Sequence, residues 1–428
     1  MKEMMDPAGT TPCVSAPTGI APAAGSAWSP LGQKVFRSIW IAGLVSNIGT
    51  WMQSTATAWL MVTIAPSPVM VSMVQTATSL PIFLLALPAG ALADVVDRRR
   101  LILFTQCWMF CAAFALAAVT WTGMITPWVL LWLTLLLSLG MALNAPAWQA
   151  IVPELVQRSE IPAAVALNSA GFNVARFIGP ALGGVVVGSL GAGAAFLCNA
   201  ASYLGVIAVL FIWDRDPSTG GRSESLARAM GTGIRFAMAS SALRAIFIRS
   251  ASFIVCGSAL MALLPLIARQ RLMVDSAGYG LLVGMFGLGA VAGAVVLPPV
   301  RRRLSLNVLA VSAACLFGTA MAAMAMVTHY VLACAFLLLG GASWLALLAT
   351  FNSTVQSIVP AWVRGRALAV YLLVFFGGLA AGSLLWGAVA EAWGLRDALL
   401  LASMGLFLGV AATVRFRLVE EWESRESS

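Results

Sequence analysis

Apolar stretches of about twenty residues recur along almost the whole chain, and this pattern limits the fold more than any other feature. As a helix, each stretch is long enough to cross a hydrocarbon core about 30 Å thick. The stretches lack the alternation of membrane β-strands, and a helix satisfies its own peptide groups inside lipid. The sequence therefore predicts an all-α membrane protein of about twelve transmembrane helices, the first over residues 38–62 and the last over 395–414.

The composition agrees with a lipid environment. Of the 428 residues, 61% are hydrophobic and 10% are charged, and the mean hydropathy is +0.93. In soluble proteins about a quarter of all residues are charged, because their surface must face water. The net charge of +9 comes largely from short loops, so it indicates membrane topology and not nucleic-acid binding.

Basic residues gather at one end of the predicted helices. This arginine-rich end includes residues 98–100, Arg158, 301–303 and 364–366, whereas the opposite end carries few charges, among them Arg269. Positively charged loops remain on the cytoplasmic side of a membrane. An even number of helices then places both termini on that side.

The two halves of the chain repeat each other. Residues 98–103 recur as 301–306 and residues 149–153 recur as 356–360, at offsets of about 203 and 207 residues. Such duplication is common in transporters. The predicted organisation is a disordered cytoplasmic tail (1–30), an N-terminal six-helix bundle (31–213), a cytoplasmic linker (214–241), a C-terminal six-helix bundle (242–418) and a second tail (419–428).

The loop after the second predicted helix carries a recognisable pattern. Residues 90–94 read Gly-Ala-Leu-Ala-Asp, and three arginines follow at 98–100. This resembles the signature loop of the major facilitator superfamily, although Val95 replaces the usual basic residue and Asp97 the usual glycine. The resemblance implies two pseudo-symmetric six-helix bundles around a central cavity.

An acid at the end of a helix can pair with arginines or with a neighbouring helix N-terminus, and such a pair can hold a gate shut in one state. The alternative is a solvated loop whose charges only fix the topology. The gate residues that we predict in these loops are Gly90, Asp94, Arg98, Arg99, Arg364 and Arg366.

The fifth predicted helix contains Gly179, Pro180, Gly183 and Gly184, which resemble the core of a motif found in exporters of the superfamily. The glycines usual further upstream are absent, and Ala175 occupies the nearer position. Small residues every fourth position let another helix approach closely, and the proline permits a bend. The pattern favours a helix that moves against the other half, and ordinary small-residue packing is the alternative.

Polar residues inside the apolar stretches predict a cavity. Arg176 falls near mid-membrane, where a charge costs several kcal/mol unless it meets water or a partner. In a cavity wall it would favour anionic or carbonyl-rich substrates, and otherwise it is a structural arginine. The candidate cavity residues are Asn47, Trp51, Gln53, Asn144, Asn168, Asn173 and Arg176.

Several kinds of chemistry find no support in the sequence. No carboxylate lies near the middle of a predicted helix, so no residue stands out as a proton carrier, and coupling to protons or another ion stays open. There is no phosphate-binding loop, one histidine gives no Ser-His-Asp arrangement, and the seven cysteines have neither CxxC spacing nor a nearby histidine cluster that would indicate a metal site. We therefore expect neither an enzyme nor a cofactor.

Four segments, 44–53, 145–156, 166–169 and 364–366, resemble the enterobactin-exporter-like branch of bacterial permeases. The resemblance implies a multi-pass transporter of the bacterial inner membrane, expected as a monomer, that exports a siderophore-like or drug-like small molecule through the lipid bilayer by alternating access. A facilitative uniporter or importer of a small metabolite, and a non-transporting sensor, are the alternatives. Substrate, direction and coupling ion do not follow from the sequence.

Overall fold

A computed structural model describes residues 27–213, 240–360 and 364–415, and these contain twelve long α-helices. The first six are α1 (Lys34–Ile64), α2 (Pro68–Val95), α3 (Arg98–Trp121), α4 (Pro127–Ile151), α5 (Ile161–Leu190) and α6 (Ala192–Ile212). The second six are α7 (Ser241–Leu266), α8 (Ser276–Arg301), α9 (Leu306–Met326), α10 (Tyr330–Ile358), α11 (Arg364–Trp393) and α12 (Leu395–Thr413). Most of the predicted linker and tails, and the side chain of Asp94, lie outside the described residues.

Within those ranges, eleven helices are long and apolar enough to cross a membrane, which makes this a multi-pass membrane protein. The twelfth long helix is α1, which has 31 residues but a polar face that includes Ser46, Asn47 and Gln53. A helix can carry such residues inside a membrane when they face a water-filled cavity. The predicted all-α class with about twelve helices is confirmed.

Helix packing follows the same pattern in both halves. In the first half α1 packs on α5 and α6, α4 on α2 and α3, and α3 on α6, and the equivalent pairs form among α7 to α12. The repeat extends to the turns, because Gly191 and Gly394, 203 residues apart, both have a positive φ before the last helix of their half. The two most extensive contacts between the halves form a seam: α2 with α11, and α5 with α8. This is the predicted pair of pseudo-symmetric six-helix bundles.

Side chains in the connecting turns start several of the helices. Ser67, Asp97, Thr126 and Asp275 each accept a hydrogen bond from a backbone N–H in the first turn of the helix that follows. The first N–H groups of a helix have no partner within it, so a side-chain cap lowers the free-energy cost of starting a helix near the membrane surface. The caps therefore fix the short loops that hold the helices of each bundle together.

Candidate functional site

A cavity of about 840 Å³ lies inside the N-terminal bundle, and all six helices of that bundle contribute to its wall. The resemblance implied a central cavity between the two bundles, whereas the described residues that line this one all belong to the first half. The cavity extends from Val152 and Val165, beside the arginine-rich loops, as far as Thr57 and Thr134 in the opposite half of α1 and α4. Clefts of 300–1,000 Å³ commonly hold molecules of drug size. This cavity is the candidate substrate site.

The structure brings most of the predicted cavity residues together. Six of the seven lie in the wall: Asn47, Trp51, Gln53, Asn144, Asn168 and Asn173. Arg176 is not a lining residue: its guanidinium carbon lies 5.8 Å from the ring centres of both Trp51 and Phe286, at the seam between the halves. At this distance the guanidinium interacts with the negative faces of the two rings. The role of these residues in binding stays a prediction.

A hydrogen-bonded network supports the deep part of the wall. The buried Asn199 of α6 donates through Nδ2 to Oε1 of Gln53 at 2.5 Å and to the hydroxyl of Tyr203 at 3.1 Å. Thr50 lies 3.4 Å from the same hydroxyl. Buried polar groups that satisfy one another hold their side chains in one position. The network therefore fixes α1 against α6 where Thr50, Gln53 and Tyr203 face the cavity.

Sequence reasoning missed Gln106 on α3. Its side chain lines the cavity and is 3% exposed, and its Oε1 atom has no hydrogen-bond partner among the described residues. The neighbouring Thr105 instead donates to Oδ1 of Asn144 at 3.0 Å. The signal that could have identified Gln106 is a carboxamide within the third apolar stretch.

The wall is polar but uncharged. Among the described residues that line it are seven carboxamides and nine hydroxyl groups, and none is a lysine, arginine, histidine, aspartate or glutamate. Trp51, Trp148 and Phe172 add flat apolar surfaces. Such a wall can both donate and accept hydrogen bonds but offers no counter-ion.

Two of the predicted gate arginines bind within the N-terminal bundle. Arg98 forms an ion pair with Glu154 at 2.6 Å, and Arg99 donates to the carbonyl groups of Leu210 and Phe211 at 2.7 and 3.0 Å. The last carbonyls of a helix have no partner within it and carry the negative end of its dipole, so an arginine suits them. These contacts tie the start of α3 to the ends of α4 and α6.

The remaining predicted gate residues of these loops are described only in part. A Cβ atom at Gly90 would meet nothing within 4 Å, and the side chain of Arg364 at the start of α11 is exposed. Arg366 takes part in an interaction of its own. With Asp94 undescribed as well, the gate stays a prediction.

The glycines of α5 contact two different helices. Gly179 and Gly183 pack against α1, where a Cβ atom at Gly183 would lie 2.8 Å from the carbonyl oxygen of Met52. Gly184 packs across the seam, and a Cβ atom at Gly280 of α8 would lie 2.9 Å from its Cα. No side chain fits between the backbones at these points, so the glycines let α5 contact α1 and α8 at once.

Polar contacts close the seam at the arginine-poor end. The carboxylate of Glu391, near the end of α11, accepts from the Ser67 hydroxyl at 2.8 Å and from the Val69 N–H at 3.3 Å, at the start of α2. Arg269 donates to the carbonyl of Val62 and to the hydroxyl of Thr63, at 3.2 and 2.9 Å. These two charged side chains join α11 to α2, and the turn after α7 to α1.

Further contacts on the same side of the cavity complete the closure. The rings of Trp59 on α1 and Tyr279 on α8 stack with their centres 5.6 Å apart. Thr76 on α2 donates to the carbonyl of Ala380 on α11 at 3.1 Å. The hydrogen bonds that Glu391, Thr76 and Arg269 form between the two halves all lie in this part of the molecule.

Comparison with known families and proteins assigns a class. Residues 25–428 match the family described as transmembrane secretion effector. The staphyloferrin A transporter of Staphylococcus aureus is 27% identical over 81% of this chain and 87% of its own length. The multidrug efflux pump Tap of Mycolicibacterium fortuitum is 25% identical over 89% of this chain and 96% of its own length.

Solved structures share the fold. A POT family transporter in complex with a thioalcohol-conjugated peptide matches with a TM-score of 0.74 at 12% identity, over 90% of this chain and 96% of its own. A bacterial homologue of the lysosomal transporter Spinster, described as inward-facing and unoccupied, matches with a TM-score of 0.64 at 15% identity, over 92% and 95%. At these identities the likeness concerns the fold alone.

Proposed function

Because this chain belongs to the transmembrane secretion effector family of major facilitator transporters, we propose that it exports a siderophore-like or drug-like small molecule from the bacterial cytoplasm by alternating access. The relatives described as a staphyloferrin A transporter and as a multidrug efflux pump support this choice of substrates. The N-terminal bundle binds the molecule, and the two bundles then rock against each other along the seam.

One observation carries the proposal: the cavity reaches the arginine-rich end, while the seam is closed at the other end. The wall includes Val152 and Val165 next to the basic loops, whereas Glu391 and Arg269 join the halves on the opposite side. The positive-inside rule makes the arginine-rich end cytoplasmic. In this state the site is open to the cytoplasm, as an exporter requires when it loads its substrate.

The seam provides a path for the return step. Gly184 and Gly280 meet without intervening side chains, so α5 and α8 can separate without dragging bulky groups past each other. Breaking the contacts of Glu391 and Arg269 opens the arginine-poor end. Both termini stay cytoplasmic, and one chain contains the whole cavity, which supports a monomer in the inner membrane.

A comparison of metabolites in cells with and without the gene tests export. We expect at least one small molecule to accumulate inside cells that lack the gene and to fall in their medium. A molecule that instead accumulates in cells carrying the gene would indicate an importer. Identical profiles under every growth condition, together with ligand binding by the purified protein, would indicate a sensor.

A matched pair of variants connects export to movement at the seam. Gly184→Leu places a side chain between α5 and α8, so we expect export to fall to the level of cells without the gene. Gly205→Leu is the control, because a Cβ atom there meets only Ala42, at 4.0 Å. Full export by the Gly184→Leu variant at normal expression would contradict rocking along this seam.

A further inference from the structure

The chemistry of the cavity wall identifies a class of substrate. Resting on the proposed function, we propose that the transported molecule is net uncharged, is of drug size, and combines several hydrogen-bonding groups with a flat apolar surface. The proposal selects among siderophore-like and drug-like molecules and excludes those that carry a net charge into the cavity.

Charge is excluded because nothing in the wall compensates for it. Within the described part of the chain, every polar side chain that lines the cavity is neutral. Moving an ion from water into a space between membrane helices costs free energy unless it meets an opposite charge there. Arg176 is not a lining residue, and its guanidinium carbon lies 5.8 Å from the ring centres of Trp51 and Phe286 at the seam.

Hydrogen-bonding groups are required because the wall is rich in them. Four of the seven asparagines in the chain line this one cavity: Asn47, Asn144, Asn168 and Asn173. A carboxamide offers two donors and an acceptor, so the wall can bind hydroxyl, amide and ester groups alike. Oε1 of Gln106 adds a specific site, since this buried acceptor has no partner among the described residues and can accept from an O–H or N–H group of a ligand.

A flat apolar part is required by the aromatic residues. Trp51 and Phe172 meet edge to face with their ring centres 6.1 Å apart, and both line the cavity. Trp148 lies in the wall nearer the arginine-rich end. Aromatic walls favour planar or apolar parts of a ligand, and the polar groups around them fix its orientation.

A matched pair of probes tests the exclusion of charge. 4-Methylumbelliferyl β-glucoside and β-glucuronide share a flat ring and a sugar, and differ only in a hydroxymethyl group and a carboxylate. Binding of each to the full-length protein in lipid nanodiscs can be measured by equilibrium dialysis against empty nanodiscs. We expect the glucoside to bind about tenfold more tightly or better. Equal affinities, tighter binding of the glucuronide, or binding of neither compound would overturn the proposal.

Introduced charges make the test independent of one probe. Asn173→Lys supplies the missing counter-charge, so we expect the affinity ratio of glucoside to glucuronide to fall about fivefold or more. Asn168→Lys, closer to the cytoplasmic mouth, is a second variant with the same expectation. Asn352→Lys is the control, because Asn352 lies on α10 outside the wall and bonds to Gln356. An unchanged ratio in both cavity variants contradicts the proposed contact with ligand.

The substrate class and the export function fail in different ways. Preference for the glucuronide, combined with metabolite export that depends on the gene, overturns the charge selection and leaves export intact. Preference for the glucoside without any such export leaves the selection intact and overturns the proposed function. The charge of the exported metabolite is a third readout, since we expect it to pass unretained through both anion- and cation-exchange columns.

Discussion

The two bundles share one fold, but the first contains a large cavity, whereas aromatic side chains fill the centre of the second. Helix α4 of the first half and α10 of the second correspond at an offset of 207 residues. On α4, Leu137 and Asn144 line the cavity, whereas the residues at the same positions of α10 are Trp344 and Phe351, which are 5% and 2% exposed. Two aromatic rings therefore fill the space that the first half leaves open.

An aromatic cluster forms the centre of the C-terminal bundle. The ring of Trp344 has its centre 5.2 Å from that of Phe253, 5.5 Å from Phe317, and 6.2 Å from both Phe286 and Phe375. A void lined by Phe253 there holds about 20 Å³, against about 840 Å³ in the first half. Close-packed interiors resist deformation. From this comparison we infer that the first bundle binds the substrate and that the second moves as a rigid body.

Removing a tryptophan from each half should have unequal effects on stability. Trp344→Ala leaves a closed void among four phenylalanines, so we expect the free energy of unfolding to fall by about 3–5 kcal/mol. Trp148→Ala only widens a cavity that already exists, so its effect should be about 1 kcal/mol or less. Thermal unfolding followed by circular dichroism in detergent compares the two. Equal losses would show that the halves do not differ in packing.

Copying the aromatic residue of the second half into the first should strongly weaken binding. Leu137→Trp places an indole in the cavity, and we expect the affinity for 4-methylumbelliferyl β-glucoside to fall about tenfold or more, with stability changed by about 1 kcal/mol at most. Leu136→Trp is the matched control, because the Leu136 side chain points away from the cavity and is 36% exposed. Normal binding by the Leu137→Trp variant would place the ligand elsewhere.

Features with a local cause could be predicted from the sequence. The length of the apolar stretches predicted twelve helices, and the repeated motifs at residues 98–103 and 301–306 predicted two related halves. Polar residues within helices are costly unless they face water or a partner, which is why the sequence alone could assign Asn47, Asn144 and Asn168 to a cavity wall.

Features that depend on distant contacts could not be predicted. Trp344 and Phe351 are apolar residues in an apolar helix, and the sequence does not distinguish a filled core from a face that contacts lipid. The contact of Glu391 with Ser67 joins the two bundles and exists only in one relative position of them. The position of Arg176 between two rings likewise requires Phe286 of the other half.

The contact of Glu391 makes the seam itself testable. Glu391→Gln removes the charge that the start of α2 attracts, and a helix N-terminus favours an anion by about 1 kcal/mol. We expect the population open at the arginine-poor end to rise roughly fivefold. Met124 and Met273 are exposed in loops of the two halves at that end. With spin labels at these two positions, double electron–electron resonance spectroscopy should show a larger population at longer distances.

This measurement needs a chain without its seven native cysteines, and it has a matched control. Asp397→Asn removes an acid at the same end of the molecule, but Asp397 lies in the first turn of α12 within the second half. Its distance distribution should match that of the parent chain. A similar shift in both variants would show that the loss of negative charge, and not the contact across the seam, moves the equilibrium.

The smallest expected effect concerns Gln106, which lines the cavity of the first bundle. Gln106→Leu removes a buried acceptor that has no partner within the described part of the chain, so we expect the free energy of unfolding to rise by about 1 kcal/mol. The same change should weaken binding of 4-methylumbelliferyl β-glucoside about threefold to tenfold, because the ligand loses an acceptor. Thermal unfolding and equilibrium dialysis give the two values on the same preparation.

The opposite signs of these two effects separate a ligand contact from a structural one. Gln75→Leu is the control, since Gln75 already donates to Ser79 at 3.1 Å and lies outside the cavity wall. That variant loses a satisfied hydrogen bond, so it should gain no stability and bind the glucoside normally. If Gln106→Leu destabilised the protein, its carboxamide would have a structural partner. If it gained stability and bound normally, the orphan oxygen would be a cost of the fold without a role in recognition.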